Sequence, residues 1–301
     1  MSFEKIVGNE KLKEIFLKAV KTNNILHSYM FLGIDGIGKK IFAKEFAKMI
    51  LCENKNEDGS ACLKCKSCLE FENNNHPDFM IIEKEEDKKE ISIDQIRYMQ
   101  QKIAEKPITS DRKVYIIENS EQMNKSAQNS LLKTLEEPPE YATIILICSN
   151  ENKLLNTIRS RCIKLNFNKI SDEEILNYIN KNEIANISNS MISFCDGSIG
   201  KLLKIKDEQD KYAEVEKIIN ALDNRDLVYI LNNSEVLYTE KESIIDLLEY
   251  INVLLFKSKQ INKIKCVEYV EKAKERILNY SNYDMTIDNL LMKMWECVFG
   301  K

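Results

Sequence analysis

The chain has 301 residues, 44% hydrophobic and 31% charged, with a formal net charge of −4. That length suits two or three domains with cores of their own, the composition excludes a disordered chain, and the acidic balance excludes a global basic field that would hold nucleic acid through many phosphate contacts. Nine cysteines, an odd number, argue against a disulfide framework and for metal binding or burial.

The opening MSFEKIVGNEKLKEIF lacks the apolar core followed by small residues that marks a secretory signal. The longest apolar runs, such as Ile144 to Cys148, fall far short of the roughly 20 residues of a membrane span. A cytoplasmic protein with no membrane partner is expected.

Ser28-Tyr-Met-Phe-Leu32 reads as a buried strand entering the glycine loop GIDGIGKK, residues 33–40, and residues 39–51 read as a helix with Phe42, Phe46 and Ile50 on one face. Further strands are expected at Phe79 to Ile82, Val114 to Ile117, Thr143 to Ile147 and Cys162 to Leu165. Helical segments from Ile93 onward and from Ser126 to Leu135 separate several of them. Strand alternating with helix predicts a mostly parallel sheet covered on both faces. All four prolines precede residue 140, and beyond Phe167 the texture becomes helical. Two or three short helices are expected over 171–205, around the turn Cys195 to Gly200, followed by longer helical segments such as Ile244 to Leu255 and Leu290 to Phe299.

The loop nearly fits the phosphate-binding pattern G-x-x-x-x-G-K-[ST], with Gly33, Gly36 and Gly38 giving the backbone its curl and Lys39 at the phosphate lysine. Lys40 replaces the hydroxyl that holds Mg²⁺ and brings a second cation where the metal belongs. Its context, after a strand and opening a helix, favours a nucleotide-derived loop; a glycine-rich strand-to-helix turn is the other reading. The acids of an ATPase site belong at the end of an apolar strand, and the candidate is Lys113 to Glu121. Glu118 suits the metal side, but Asn119 stands at the catalytic carboxylate, and an amide accepts no proton. Departures in both halves point toward lost hydrolysis.

Cys52, Cys62, Cys65 and Cys68 combine two x₂ spacings within seventeen residues, which suits a tetrahedral Zn²⁺ with no open position, hence a structural site. A redox C-x-x-C is the rival reading. Cys148, Cys195, Cys266 and Cys297 read as buried apolar fillers. Arg159 and Arg161, in Thr157-Ile-Arg-Ser-Arg-Cys162, suit either a solvated surface or an arginine finger for a neighbouring subunit. His27 and His76 read as structural.

HSYMFLGIDGIGKK, the cysteine insertion after the loop helix, HPDF at 76–79, SLLKTLEEPP at 130–139 and Ser160-Arg161-Cys162 together resemble the clamp-loader branch of the AAA+ ATPases. The likeness covers about the first 205 residues; the last hundred share only helical character. It implies an α/β AAA+ domain over 1–167, a RecA-like parallel sheet with helices on both faces and a zinc insertion at 52–68. A small helical lid domain over 168–207 and an all-helical collar over 208–301 would follow. Lys40, Asn119 and Gly200, the last at a position where motor subunits carry a γ-phosphate-sensing arginine, are similar to the delta-prime class of bacterial DNA polymerase III. That class implies a non-hydrolysing subunit that offers Arg161 to ATP in an adjacent motor. The implied partners are tau/gamma-like motor subunits, a delta-like clamp-opening subunit and, through the complex, the sliding clamp and primed DNA. Ser149 or Asn150 would hold the first sensor position, and Val7 and Gly8 the adenine-side segment. Retention of Lys39 leaves ATP and Mg²⁺ binding open. The alternative within the family is a hydrolysing motor using Glu118 or Glu121; a nucleic-acid-binding zinc module is disfavoured by the acidic balance.

Overall fold

The computed structural model describes Phe3 and residues 6–222 and 227–299; the remaining residues of the expected first and last domains lie outside the described ones. The chain forms two compact units, one of Met1–Glu174 with Ser198–Gly200, the other of Ile175–Gly197 with Lys201–Lys301.

The first unit is built on β1 (Ser28–Leu32), β2 (Phe79–Ile82), β3 (Lys113–Ile117), β4 (Ala142–Cys148) and β5 (Ile163–Asn166), in spatial order β2-β3-β4-β1-β5. Every pairing is parallel, with Ser28 opposite Ile144 and Tyr29 opposite Ile163. The central strands are apolar throughout because both faces are covered. Along β4, Ile145 and Ile147 enter one core, while Ile144, Leu146 and Cys148 enter the other. The strand at the β5 edge starts one residue later than its sequence predicts and is largely exposed.

Helices α1 (Glu10–Lys21) and α2 (Lys39–Leu51) contribute to the first core, α3 (Lys66–Glu72) begins at the end of the cysteine insertion, and α4 (Ile93–Ala104) and α5 (Lys125–Glu136) contribute to the second core. Phe16 of α1 meets Phe46 at 4.1 Å and Phe42 at 5.2 Å between ring centres, edge to face in both cases. Ser92 and Gln95 form a reciprocal capping box that starts α4, and the Asn124 side chain accepts from the Ala127 N–H to start α5.

The second unit is helical. Three helices, Asp172–Lys181, Asn189–Cys195 and Ile199–Asp207, run through the region expected to hold two or three. Within the unit, Phe194, Tyr212 and Tyr250 pack ring against ring, and Glu216 accepts hydrogen bonds from Ser188 and Tyr250. Among the described residues no helix is long and apolar enough to cross a membrane.

Candidate functional site

β1 delivers the chain to Gly33, and the loop closes at Gly38, whose φ of 94° makes it the left-handed N-cap of α2. The loop therefore meets a helix N-terminus, a favourable place for an anion. Lys39 is 5% exposed and turned inward. Its ammonium donates to the carbonyls of Gly33 and Ile34, the latter at 2.8 Å, and lies 3.6 Å from the Asp35 carboxylate. Burial lowers its pKa, with Asp35 and Glu121 opposing the fall.

Lys40 faces the ends of β2 and β3. Its ammonium lies 3.0 Å from Glu83 and is ion-paired with Glu118. Burial alone would lower the Lys40 pKa, but the two carboxylates outweigh it and raise it. Glu118 is itself raised, first by burial and then by the nearby Glu83 carboxylate, which together outweigh Lys40. Asn119 adopts the left-handed conformation, φ 46°, and opens a 3₁₀ turn, Ser120–Gln122. Glu121 accepts from the Ser149 N–H at 2.9 Å and from its hydroxyl. Burial pushes the Glu121 pKa up, yet the Ser149 bonds prevail and hold it below the ordinary value.

Arg161 follows the short helix α6 (Asn156–Arg159). Its guanidinium donates to the Thr157 carbonyl at 2.9 Å and lies 2.6 Å from Glu136, with a third of the side chain exposed. The neighbouring Arg159 pairs with Asn152 and Asn156 instead.

The ligand sulfurs of Cys52, Cys62, Cys65 and Cys68 all lie within 4.8 Å of one another, and Cys52 and Cys65 are 3.9 Å apart. Four thiolates at about 2.3 Å around a tetrahedral ion stand about 3.8 Å apart, so the set fits a metal. Leu63, at φ 60°, turns the first C-x-x-C so that the N–H groups of Lys64 and Cys65 point at the Cys62 sulfur. The Lys64 N–H chiefly holds the Cys62 thiol down at about 6, whereas burial pushes Cys52 and Cys68 up. A bound cation is what would make all four thiolates. Cys148, Cys195 and Cys266 are buried, as the sequence predicts; Cys297 is only partly buried, near the end of the helix Tyr283–Phe299.

One apparent catalytic set proves structural. Ser67 and His76 are 2.9 Å apart, but the Asp78 N–H donates to His76 Nδ1, so the ring proton sits on Nε2 and points at Ser67. The Ser67 hydroxyl donates to the Leu51 carbonyl, and the Asp78 carboxylate accepts from the N–H groups of Ile108, Thr109 and Ser110. These bonds tie the end of α2, the helix α3 and the start of β2 together. His27 makes a backbone contact only, through its carbonyl to the Ile144 N–H, among the described bonds.

A family model described as DNA polymerase III, delta subunit, matches residues 8–171, more than half of the chain. The chain belongs to this clamp-loader family. A delta-prime subunit of DNA polymerase III from Pseudomonas aeruginosa is 38% identical over 46% of the chain and 42% of that relative. A tau subunit from Bacillus subtilis is 35% identical over 60% of the chain and 31% of that relative. The chain thus spans less than half the length of either. A solved DNA polymerase III gamma subunit-related protein from Thermotoga maritima shares the fold, with a TM-score of 0.50 at 18% identity, covering 94% of this chain and 99% of that one. The AAA+ sheet with helices and the helical C-terminal part are those of the clamp-loader family. Both polymerase subunit types lie among its relatives, so what separates them in this chain must be read from the loop and its surroundings. Sequence reasoning missed Glu83, the second partner of Lys40. Its place directly after β2 was the available signal, since strand ends are where the acids of such a site are sought.

Proposed function

We propose that this chain is a non-hydrolysing, delta-prime-like subunit of a replicative clamp loader, presenting Arg161 to ATP held by a neighbouring motor subunit during loading of a sliding clamp on primed DNA. The observation that carries the reading is the ion pair between Lys40 and Glu118. The carboxylate suited to the metal side is neutralised by an ammonium of the chain itself, and the next residue, Asn119, accepts no proton. Arg161, at a partly exposed turn and held there by a half-exposed Glu136 and a carbonyl, suits release to another chain. Zn²⁺ at Cys52, Cys62, Cys65 and Cys68 would be structural, since four protein ligands complete its tetrahedron.

A hydrolysing motor is the competing reading, favoured by the retained Lys39 and the 35% identity to a tau subunit. The deciding experiment combines the chain with its cognate motor and clamp-opening subunits, clamp and primed DNA, and compares ATP turnover for native protein and Arg161→Ala with assembly checked by size. The affected site is expected to slow by the order of 10³–10⁵-fold typical of arginine fingers, diluted by the other sites. Unchanged turnover in an intact assembly sinks the arginine-finger role. Mg²⁺-dependent turnover by the chain alone, lost on Lys39→Ala, establishes the motor reading instead.

A further inference from the structure

Four successive loop carbonyls each accept a hydrogen bond from the chain itself. Lys39 Nζ donates to Gly33 and Ile34, the Ser198 hydroxyl donates to Asp35 at 2.9 Å, and the Gly200 N–H donates to Gly36 at 2.8 Å. Ser198 is 1% exposed. The approach is close enough that a Cβ on Gly200 would lie 2.7 Å from Gly36 Cα, and a Cβ on Gly36 would collide with the Ser198 hydroxyl. Gly36, at φ 75°, is in addition a left-handed position that disfavours a side chain.

We propose that Ser198–Gly200 is a strap that latches the phosphate loop shut, so that a nucleoside triphosphate enters only when the strap lifts and Lys39 leaves the Gly33 and Ile34 carbonyls. A phosphate-binding loop works by turning N–H groups and its lysine toward the anion. Here the lysine is turned toward carbonyl oxygens, and two further carbonyls are pinned from outside the loop. The two pinning bonds and the Lys39 bonds are exchanged for phosphate contacts on entry, which weakens apparent affinity by the fraction of time the strap is open. The inference rests on the non-hydrolysing reading and supplies a physical reason for it beyond the missing hydroxyl and carboxylate.

The test uses the full chain and titrates a fluorescent methylanthraniloyl derivative of ATP in the presence of Mg²⁺. Gly200→Ala, whose methyl group forces the strap off Gly36, is expected to bind about tenfold or more tighter than native protein, the worth of one or two hydrogen bonds. Ser198→Ala, which removes the hydroxyl bond to the Asp35 carbonyl without adding bulk, should give a smaller gain in the same direction. Adding Lys39→Ala to either variant should remove the gain. The strap is overturned if native protein binds as tightly as Gly200→Ala, or if both variants, folded by circular dichroism, bind no better than native. Should Gly200→Ala not fold, Ser198→Ala decides alone, and unchanged affinity there overturns it. Native protein that binds the probe as tightly as the variants without hydrolysing ATP defeats only the strap, whereas hydrolysis by the native chain alone defeats the proposed function.

Discussion

Lys40 Nζ lies 3.0 Å from the Glu83 carboxylate and is paired at the same time with Glu118, so one ammonium joins the first turn of α2 to the ends of two strands. The pairs are partly open to solvent, 39% for Lys40 and 59% for Glu83, and screening reduces what they contribute. Lys40→Met should destabilise the fold by about 1 kcal/mol, because Glu118 is left beside Glu83 with no counter-charge. Adding Glu118→Gln should recover much of that loss. Urea denaturation of the two single variants and the double variant measures the coupling; strictly additive effects would show that the ammonium and Glu118 do not interact.

The cysteine cluster should bind one divalent ion per chain. Replacing that ion with Co²⁺ should give the intense visible absorption of a tetrahedral thiolate site, and Cys65→Ser should remove stoichiometric binding. Chelation should lower the melting temperature and open the segment from Cys52 to Glu72 to protease before the rest of the unit. Cobalt spectra of octahedral form, or equal melting with and without chelator, would count against a structural metal.

His76 makes a pH prediction whose sign follows from its burial. Burial lowers its pKa, against Asp78, Glu70 and Glu53, which raise it. The unfolded chain therefore takes up a proton near the ordinary imidazole value, about 6.5, before the folded one does. Stability from this residue is full above that value and declines as pH falls below it toward the lowered folded pKa. His76→Ala should flatten this part of the stability curve. Asp78→Ala should cost about 3 kcal/mol or more, since Ile108, Thr109 and Ser110 would each lose an acceptor. Denaturant titrations over roughly pH 5 to 8, on both sides of the ordinary imidazole value of about 6.5, test both; a flat native profile would falsify the role given to His76.

Glu136 holds Arg161 at 2.6 Å on a partly exposed surface. Pairs of this kind contribute about 0–1 kcal/mol, so Glu136→Gln should leave the melting temperature nearly unchanged. On the proposed role of Arg161, the same variant should keep or raise ATP turnover when combined with the motor subunits, since it releases the arginine from a competitor. A fall in turnover comparable to that of Arg161→Ala would mean the pair acts as a unit.

Much of the sheet was legible because its strands are short apolar runs set between loop and helix signals, and both faces of β4 are buried. The strands at Ser28–Leu32 and Phe79–Ile82 form with the bounds their residues predict. α1 was harder to see: only Lys13, Phe16 and Val20 of its twelve residues are buried, and charged residues surround them. The cysteine grouping was plain from spacing, but the Leu63 turn was not, because leucine rarely adopts positive φ and nothing local demands it. Glu83 and Ser198 could not be found by motif, since each meets the loop through the tertiary fold. Lys40 meets Glu83 across 43 positions of sequence, and Asp35 meets Ser198 across 163.

Helix α2 has Gly38 at one end and Cys52 at the other. Thirteen residues make a rod of about 20 Å, and its flank is filled by Phe42 and Phe46, both wholly buried. The glycine loop and the cysteine knuckle are therefore two fittings on one stiff spar. The far fitting is tied by the Ser67 bond to Leu51 and the near one by the Lys39 bonds to Gly33 and Ile34, so both ends of the spar are held by bonds within the chain. A change at residue 40 then costs the bridge to Glu83 and Glu118 but leaves the spar seated at both ends.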